Sequence, residues 1–101
     1  MKSLQTTKES RVALITGASS GIGAKTAEFL ATKGFHVLLT ARREGNLKTI
    51  VDRIKNQNGK ATFFTADLSN EISRNKLIQT LEAESLLPDI LINNAGFGWY
   101  G

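Results

Sequence analysis

Two groups of residues in this 101-residue chain have the types and spacing to hold phosphate. The first is Thr16-Gly17-Ala18-Ser19-Ser20-Gly21-Ile22-Gly23, a hinge carrying three glycines. Glycine lets a chain turn tightly, lets its backbone approach a pyrophosphate, and lets a helix pack close to a strand. Gly17, Gly21 and Gly23 are placed for these roles. A helix starting near Gly21 would aim the free N–H groups of its first turn, Gly21 to Gly23 with Ile22 between, and the positive end of its dipole at the phosphate. Ser19 and Ser20 add hydroxyls at the rim.

The second group is Arg42-Arg43, about 20 residues past the glycines, where a carboxylate would hold a ribose 2′-hydroxyl and repel a 2′-phosphate. A guanidinium instead binds phosphate bidentately. Arg42 therefore reads as a 2′-phosphate ligand, also able to stack on an adenine, with Arg43 as a weaker helper, and the dinucleotide as NADP(H). On the competing reading both arginines merely decorate the start of a helix, where their charge opposes the helix dipole.

A second phosphate chemistry fails on spacing. An NTPase phosphate loop needs Gly-Lys-Ser/Thr contiguous, and Ala24 separates Gly23 from Lys25-Thr26. That inserted residue turns Lys25 by about 100° around the helix, so Lys25 reads as a solvated helix residue. His36 begins an apolar run with no carboxylate or second imidazole nearby in sequence, and reads as structural. Thr16 reads as a tie from the glycine loop to neighbouring backbone through its hydroxyl.

These residues need a scaffold, and the chain supplies one. Arg11 to Ile15 is a β-prone run of the kind a strand buried on both faces requires. Residues 22–33 then read as a helix with Ile22, Thr26, Phe29 and Leu30 inward, ended by Gly34. Residues 35–40 read as a second strand. Leu47, Ile50, Val51 and Ile54 mark an amphipathic helix stopped by Gly59. Residues 61–65 read as a third strand, and Ser69 as the N-cap of a helix to about Glu84, with Ile72, Leu77, Ile78 and Leu81 as its stripe. Residues 90–92 read as a short fourth strand.

Strands alternating with helices in this way imply parallel pairing through right-handed crossovers, a doubly wound α/β sheet of Rossmann type in the order β-α-β-α-β-α-β. Ligands bind such sheets beyond the carboxyl ends of the strands. Those ends carry Thr16-Gly17, Ala41-Arg42, Ala66-Asp67 and Asn93-Asn94-Ala95-Gly96. Residues 1–10 form a polar segment ahead of the domain at 11–101.

Composition narrows the classes. There is no cysteine and one histidine, which excludes a disulfide framework, a thiolate metal site and a zinc centre built from them. No apolar run is long enough to span a bilayer, and the polar first ten residues hold no signal-peptide core, so a cytoplasmic protein without a membrane partner is expected. The net charge of +4 is scattered among acidic residues rather than gathered into a patch, which argues against nucleic acid.

The glycine turn after a buried strand, with Asp67 and Asn93-Asn94-Ala95-Gly96 downstream, resembles the short-chain dehydrogenase/reductase family from Arg11 to Gly96. The resemblance implies that Asp67 bonds the adenine amino group with help from the Leu68 backbone, against a simpler reading of Asp67 as a turn residue before Ser69. It implies that Asn93 to Gly96 anchors the central sheet, with Asn94 and Ala95 lining the adenosine ribose and Gly96 admitting the cofactor. Trp99 and Tyr100 are expected near the nicotinamide or substrate.

The family moves a hydride between nicotinamide and a carbonyl or alcohol substrate with a Tyr-x-x-x-Lys pair, a serine upstream and a helix asparagine. All lie beyond the Asn-Asn-Ala-Gly motif, and only Gly101 follows Tyr100. No catalytic residue is therefore assigned. The chain reads as the cofactor-binding part of an NADP(H)-dependent oxidoreductase, cut after its fourth strand and inactive alone, with a homo-oligomer expected of a full-length form. The alternative is a non-catalytic nucleotide-binding module that pairs with a complete homologue through its fourth strand.

Overall fold

The structure is a computed structural model that describes residues 11–94. Four strands, β1 (Val12–Thr16), β2 (His36–Ala41), β3 (Lys60–Thr65) and β4 (Ile90–Asn93), alternate with helices α1 (Gly21–Thr32), α2 (Leu47–Asn56) and α3 (Glu71–Ala83). All strand pairs are parallel, in the order β3-β2-β1-β4. The chain thus runs outward from β1 to β3 and then crosses back to place β4 on the far side of β1. The expected doubly wound α/β sheet is what the chain forms.

The two-residue period of the strands separates two apolar layers. Ala13, Ile15, Val37, Leu39 and Ala61 face α1 and α2, where Ala27, Leu47, Ile50, Val51 and Ile54 meet them. Val12, Leu14 and Leu38 face α3 and pack with its Leu77 and Leu81. The stripe of α2 is buried as its spacing requires. Gly34, with φ +91°, ends α1 as expected.

Several local expectations are corrected. The inner face of α1 carries Gly23 and Ala27, with Ala24, Leu30 and Ala31 beside them, while Ile22 and Phe29 are 74% and 59% exposed. The helix lies so close to the β1–α1 turn that a Cβ on Gly23 would stand 2.8 Å from Ala18 Cα, so only small residues fit there. The helix α2 ends at Asn56, ahead of Gly59, and Asn58 at φ +68° takes the left-handed position after it. Asn70 rather than Ser69 caps α3, its Oδ1 accepting from Ser73 N at 3.0 Å. Ile72 and Ile78 of α3 are exposed, because the helix meets the sheet along one narrow strip, Leu77 and Leu81.

Register brings the strand ends level. Thr16 pairs with Thr40 on one side and Asn93 on the other, and Ala41 pairs with Thr65. The ladder continues past the strands, with Ala18 N donating to Thr40 O, Ala66 N to Ala41 O and Asn94 N to Thr16 O. At the opposite edge Val12 N donates to Asp89 Oδ2 and Asp89 N to Val12 O, both at 2.8 Å, which fixes the β1–β4 register. No helix among the described residues is long and apolar enough to cross a membrane.

Candidate functional site

Because the sheet is parallel and its strands end level, the three loops leaving β1, β2 and β3 gather on one edge. They enclose a cleft of about 790 Å³. Gly17 and Ser19 line it from the β1–α1 turn, Thr40, Ala41, Arg42, Arg43 and Gly45 from the end of β2, and Ala66, Asp67, Leu68 and Ser69 from the end of β3. Of the residues singled out by sequence, Gly17, Ser19, Arg42, Arg43, Asp67 and Leu68 therefore share one cavity.

The glycine turn divides its labour among its residues. Gly17 has φ +63°, the left-handed backbone of a tight turn that a side chain would strain. Gly23 is buried, and a Cβ there would also meet Gly17 O at 2.8 Å and Asn94 Nδ2 at 3.0 Å. Gly21 has nothing within 4 Å of where its Cβ would stand, so the space above the helix start is open. The Ser20 Oγ accepts from Gly23 N at 3.1 Å and caps α1, which leaves its O–H to donate. That cap and the Ala24 N to Ser20 O bond leave the N–H groups of Gly21 and Ile22 without a partner among the described residues.

Arg42 and Arg43 are exposed and lie in the connection before α2, not in the helix. The reading of them as the opening of a helix is thereby overturned. Neither guanidinium has a hydrogen-bond or ion-pair partner among the described residues, and Glu44 beside them pairs with neither. Ion pairs among the described residues, such as Lys48 with Asp52 and Arg53 with Glu28, lie on the helices.

Asp67 is held ionised. Hydrogen bonds from the Ser69 hydroxyl at 2.6 Å and the Ser69 amide at 3.0 Å keep its carboxyl below the usual range, slight desolvation opposes them, and the charge of Arg42 adds to the lowering. Both bonds fall on Oδ1. Asp67 is thus a turn residue and a cleft residue at once, with no partner for Oδ2 among the described residues, and its own N–H donates to Ser73 Oγ at 2.9 Å.

Thr16 has a structural job at the base of the glycine loop. Its hydroxyl donates to Asn93 Oδ1 at 2.7 Å and lies 3.5 Å from the neighbouring backbone carbonyl of Ile92, tying β1 to β4. Asn94 lies on the other side of the turn, and its Nδ2 is buried without a hydrogen-bond partner among the described residues, as is Thr40 Oγ1. Ala95, Gly96, Trp99 and Tyr100 lie outside the described residues. His36 sits at the far edge of the sheet, with Nε2 3.0 Å from Thr62 Oγ1, away from the cleft. Burial, then Lys60 and Lys55, pull its pKa below the usual histidine value.

Ala41 and Ala66 line the cleft at the strand ends where the sequence placed them, while sequence reasoning missed Thr40, Gly45 and Asn46, whose side chain reaches Ser19 O at 3.4 Å. Ser69 was legible only as a cap.

Comparison with known proteins bears on this cleft. The family model described as short chain dehydrogenase matches residues 11–101. A short chain dehydrogenase of Pseudocercospora fijiensis is 41% identical over 93 residues, covering 92% of this chain and 30% of its own. A fatty acyl-CoA reductase of Acinetobacter baylyi is 45% identical over 86 residues, covering 85% of this chain and 29% of its own. The crystal structure of a metagenomic short-chain oxidoreductase in complex with NADP superposes with a TM-score of 0.81 at 38% identity, over 90% of this chain and 41% of that one. The chain thus spans about a third of the length of the curated relatives it matches.

Proposed function

The chain belongs to the short-chain dehydrogenase family, and from that premise we propose that it is the NADP(H)-binding part of an oxidoreductase acting on a carbonyl or alcohol substrate. One observation carries the choice of NADP(H): two unpaired guanidiniums stand on the cleft wall at the end of β2, where an NAD site wants a carboxylate. The NADP complex of the structural relative supports the same reading.

The residues present fit the cofactor. An open space above Gly21, the partnerless N–H groups of Gly21 and Ile22 at a helix start, and the orphaned amide of Asn94 are donors and room that a pyrophosphate and ribose would use. Gly17, Ser19, Ser20 and Gly23 shape and cap that turn; Ser20 and Gly23 serve it by fixing the helix start. Arg42, aided by Arg43, would take the 2′-phosphate. Asp67 would accept from the adenine amino group through its free Oδ2, with Leu68 beside it. Ala95 and Gly96 are proposed to continue the ribose wall.

When bound, the nicotinamide supplies hydride transfer. The sequence contains no Tyr-x-x-x-Lys, so this chain alone is proposed to bind without turnover. Titration of the chain with NADPH and NADH tests the reading. NADPH should bind at least tenfold tighter, and equal affinities would overturn the cofactor assignment.

A further inference from the structure

We propose that Asn46 is a positioning residue that staples the arginine loop to the glycine turn, setting the gap that a 2′-phosphorylated nucleotide spans; this rests on the NADP(H) reading above. Asn46 occupies the N-cap of α2, a position where asparagine is favoured because its side-chain oxygen accepts a first-turn N–H. It makes no such bond, and its backbone, at φ −96° and ψ 12°, lacks the extended conformation of a capping residue. Ser20 and Asn70, at the starts of α1 and α3, are extended and do cap with their side chains. Asn46 Nδ2 instead donates across the cleft end to Ser19 O at 3.4 Å.

The bond joins the two walls that a dinucleotide must bridge. Arg42, Arg43 and Gly45 stand on one wall, Gly17 and Ser19 on the other. The three residues between Arg42 and the anchor include Gly45 at φ +43°, so without the anchor the guanidinium is carried on a pliable loop. The donor also draws the Ser19 carbonyl, the negative end of a peptide dipole, toward α2. It competes there with no phosphate, and the turn keeps its N–H groups for the anion.

The test measures binding of adenosine 2′,5′-bisphosphate, which engages both walls, and of 5′-AMP, which lacks the 2′-phosphate, to the full chain and to Asn46→Ser and Asn46→Gln. Serine is too short to reach Ser19, and the bond it gives up is long and exposed, so Asn46→Ser should keep the thermal midpoint. It should lose about three- to fivefold in affinity for the bisphosphate and less than twofold for 5′-AMP, the lower range for one hydrogen bond because this one is long and exposed. Asn46→Gln retains the donor and should stay within about twofold of wild type for both. If Asn46 is a helix residue only, Asn46→Ser binds both ligands like wild type, which overturns the staple while wild type still prefers the bisphosphate. If wild type shows no such preference, the NADP(H) reading itself falls, and the staple with it.

Discussion

Arg42→Ala separates the 2′-phosphate contact from every other part of the cleft. The guanidinium is exposed and has no protein partner to lose among the described residues, so the substitution leaves no buried charge behind and the fold should be unaffected. A hydrogen bond to a charged group contributes about 1.5–3 kcal/mol, and the exposure of Arg42 places it in the lower part of that range. At about 1.5–2.5 kcal/mol, affinity for NADPH should fall about 10- to 70-fold. NADH carries no phosphate at that position and should change by less than about twofold. Fluorescence titration of both nucleotides at 50 and 300 mM salt reads the effect, and the NADPH preference of wild type should shrink at the higher salt. A loss of less than threefold for NADPH, or equal losses for both nucleotides, would refute the phosphate contact.

Ala41→Asp, beside the arginine pair, should repel the 2′-phosphate and move the NADPH-to-NADH preference toward NADH by about tenfold, read by the same titrations. Gly23→Ala forces a Cβ against backbone at 2.8 Å and should destabilise the chain by about 1–3 kcal/mol in urea unfolding. Gly21→Ala meets open space and should leave unfolding unchanged while weakening NADPH, since its methyl enters the region above the helix start; equal behaviour of the two variants would contradict the division of labour in the turn. His36 has a lowered folded pKa, so below pH 6.5 the unfolded chain binds more protons than the folded one. Its share of stability is complete above that pH and lost as pH falls toward the folded value, and His36→Gln should flatten the unfolding midpoint between pH 7 and 5.

How much of this was legible depended on how the physics is written in residue types. The α2 stripe was, because four large aliphatics recur at helical spacing and all four are buried. The α1 face was not, because a helix packed against a turn buries glycine and alanine, and its large residues turn outward; Phe29 lies under Lys33 Nζ at 5.3 Å instead of in the core. The cap of α3 moved by one residue because Ser69 is engaged with Asp67, a competition invisible until both positions are known. The gathering of Arg42, Asp67 and Gly17 followed from strand ends alone, since parallel strands in register must bring their ends to one edge. Asn46 could not be read at all: its type announces a cap, and only the geometry shows the cap forgone.

The pairing of β1 with β4 joins residues 77 apart in sequence, held by Val12–Asp89 at one end and Thr16–Asn93 at the other. Closing so long a loop is an entropic step that local contacts do not share, so β4 is expected to dock after β1, β2 and β3 have paired. Among the described residues every wall of the cleft falls between Gly17 and Ser69. During synthesis, a chain that has emerged only as far as α3 already carries every described residue that lines the cleft, with Asn94 still to follow, and a nucleotide held there would bind before β4 docks, drawing the early fold forward by mass action.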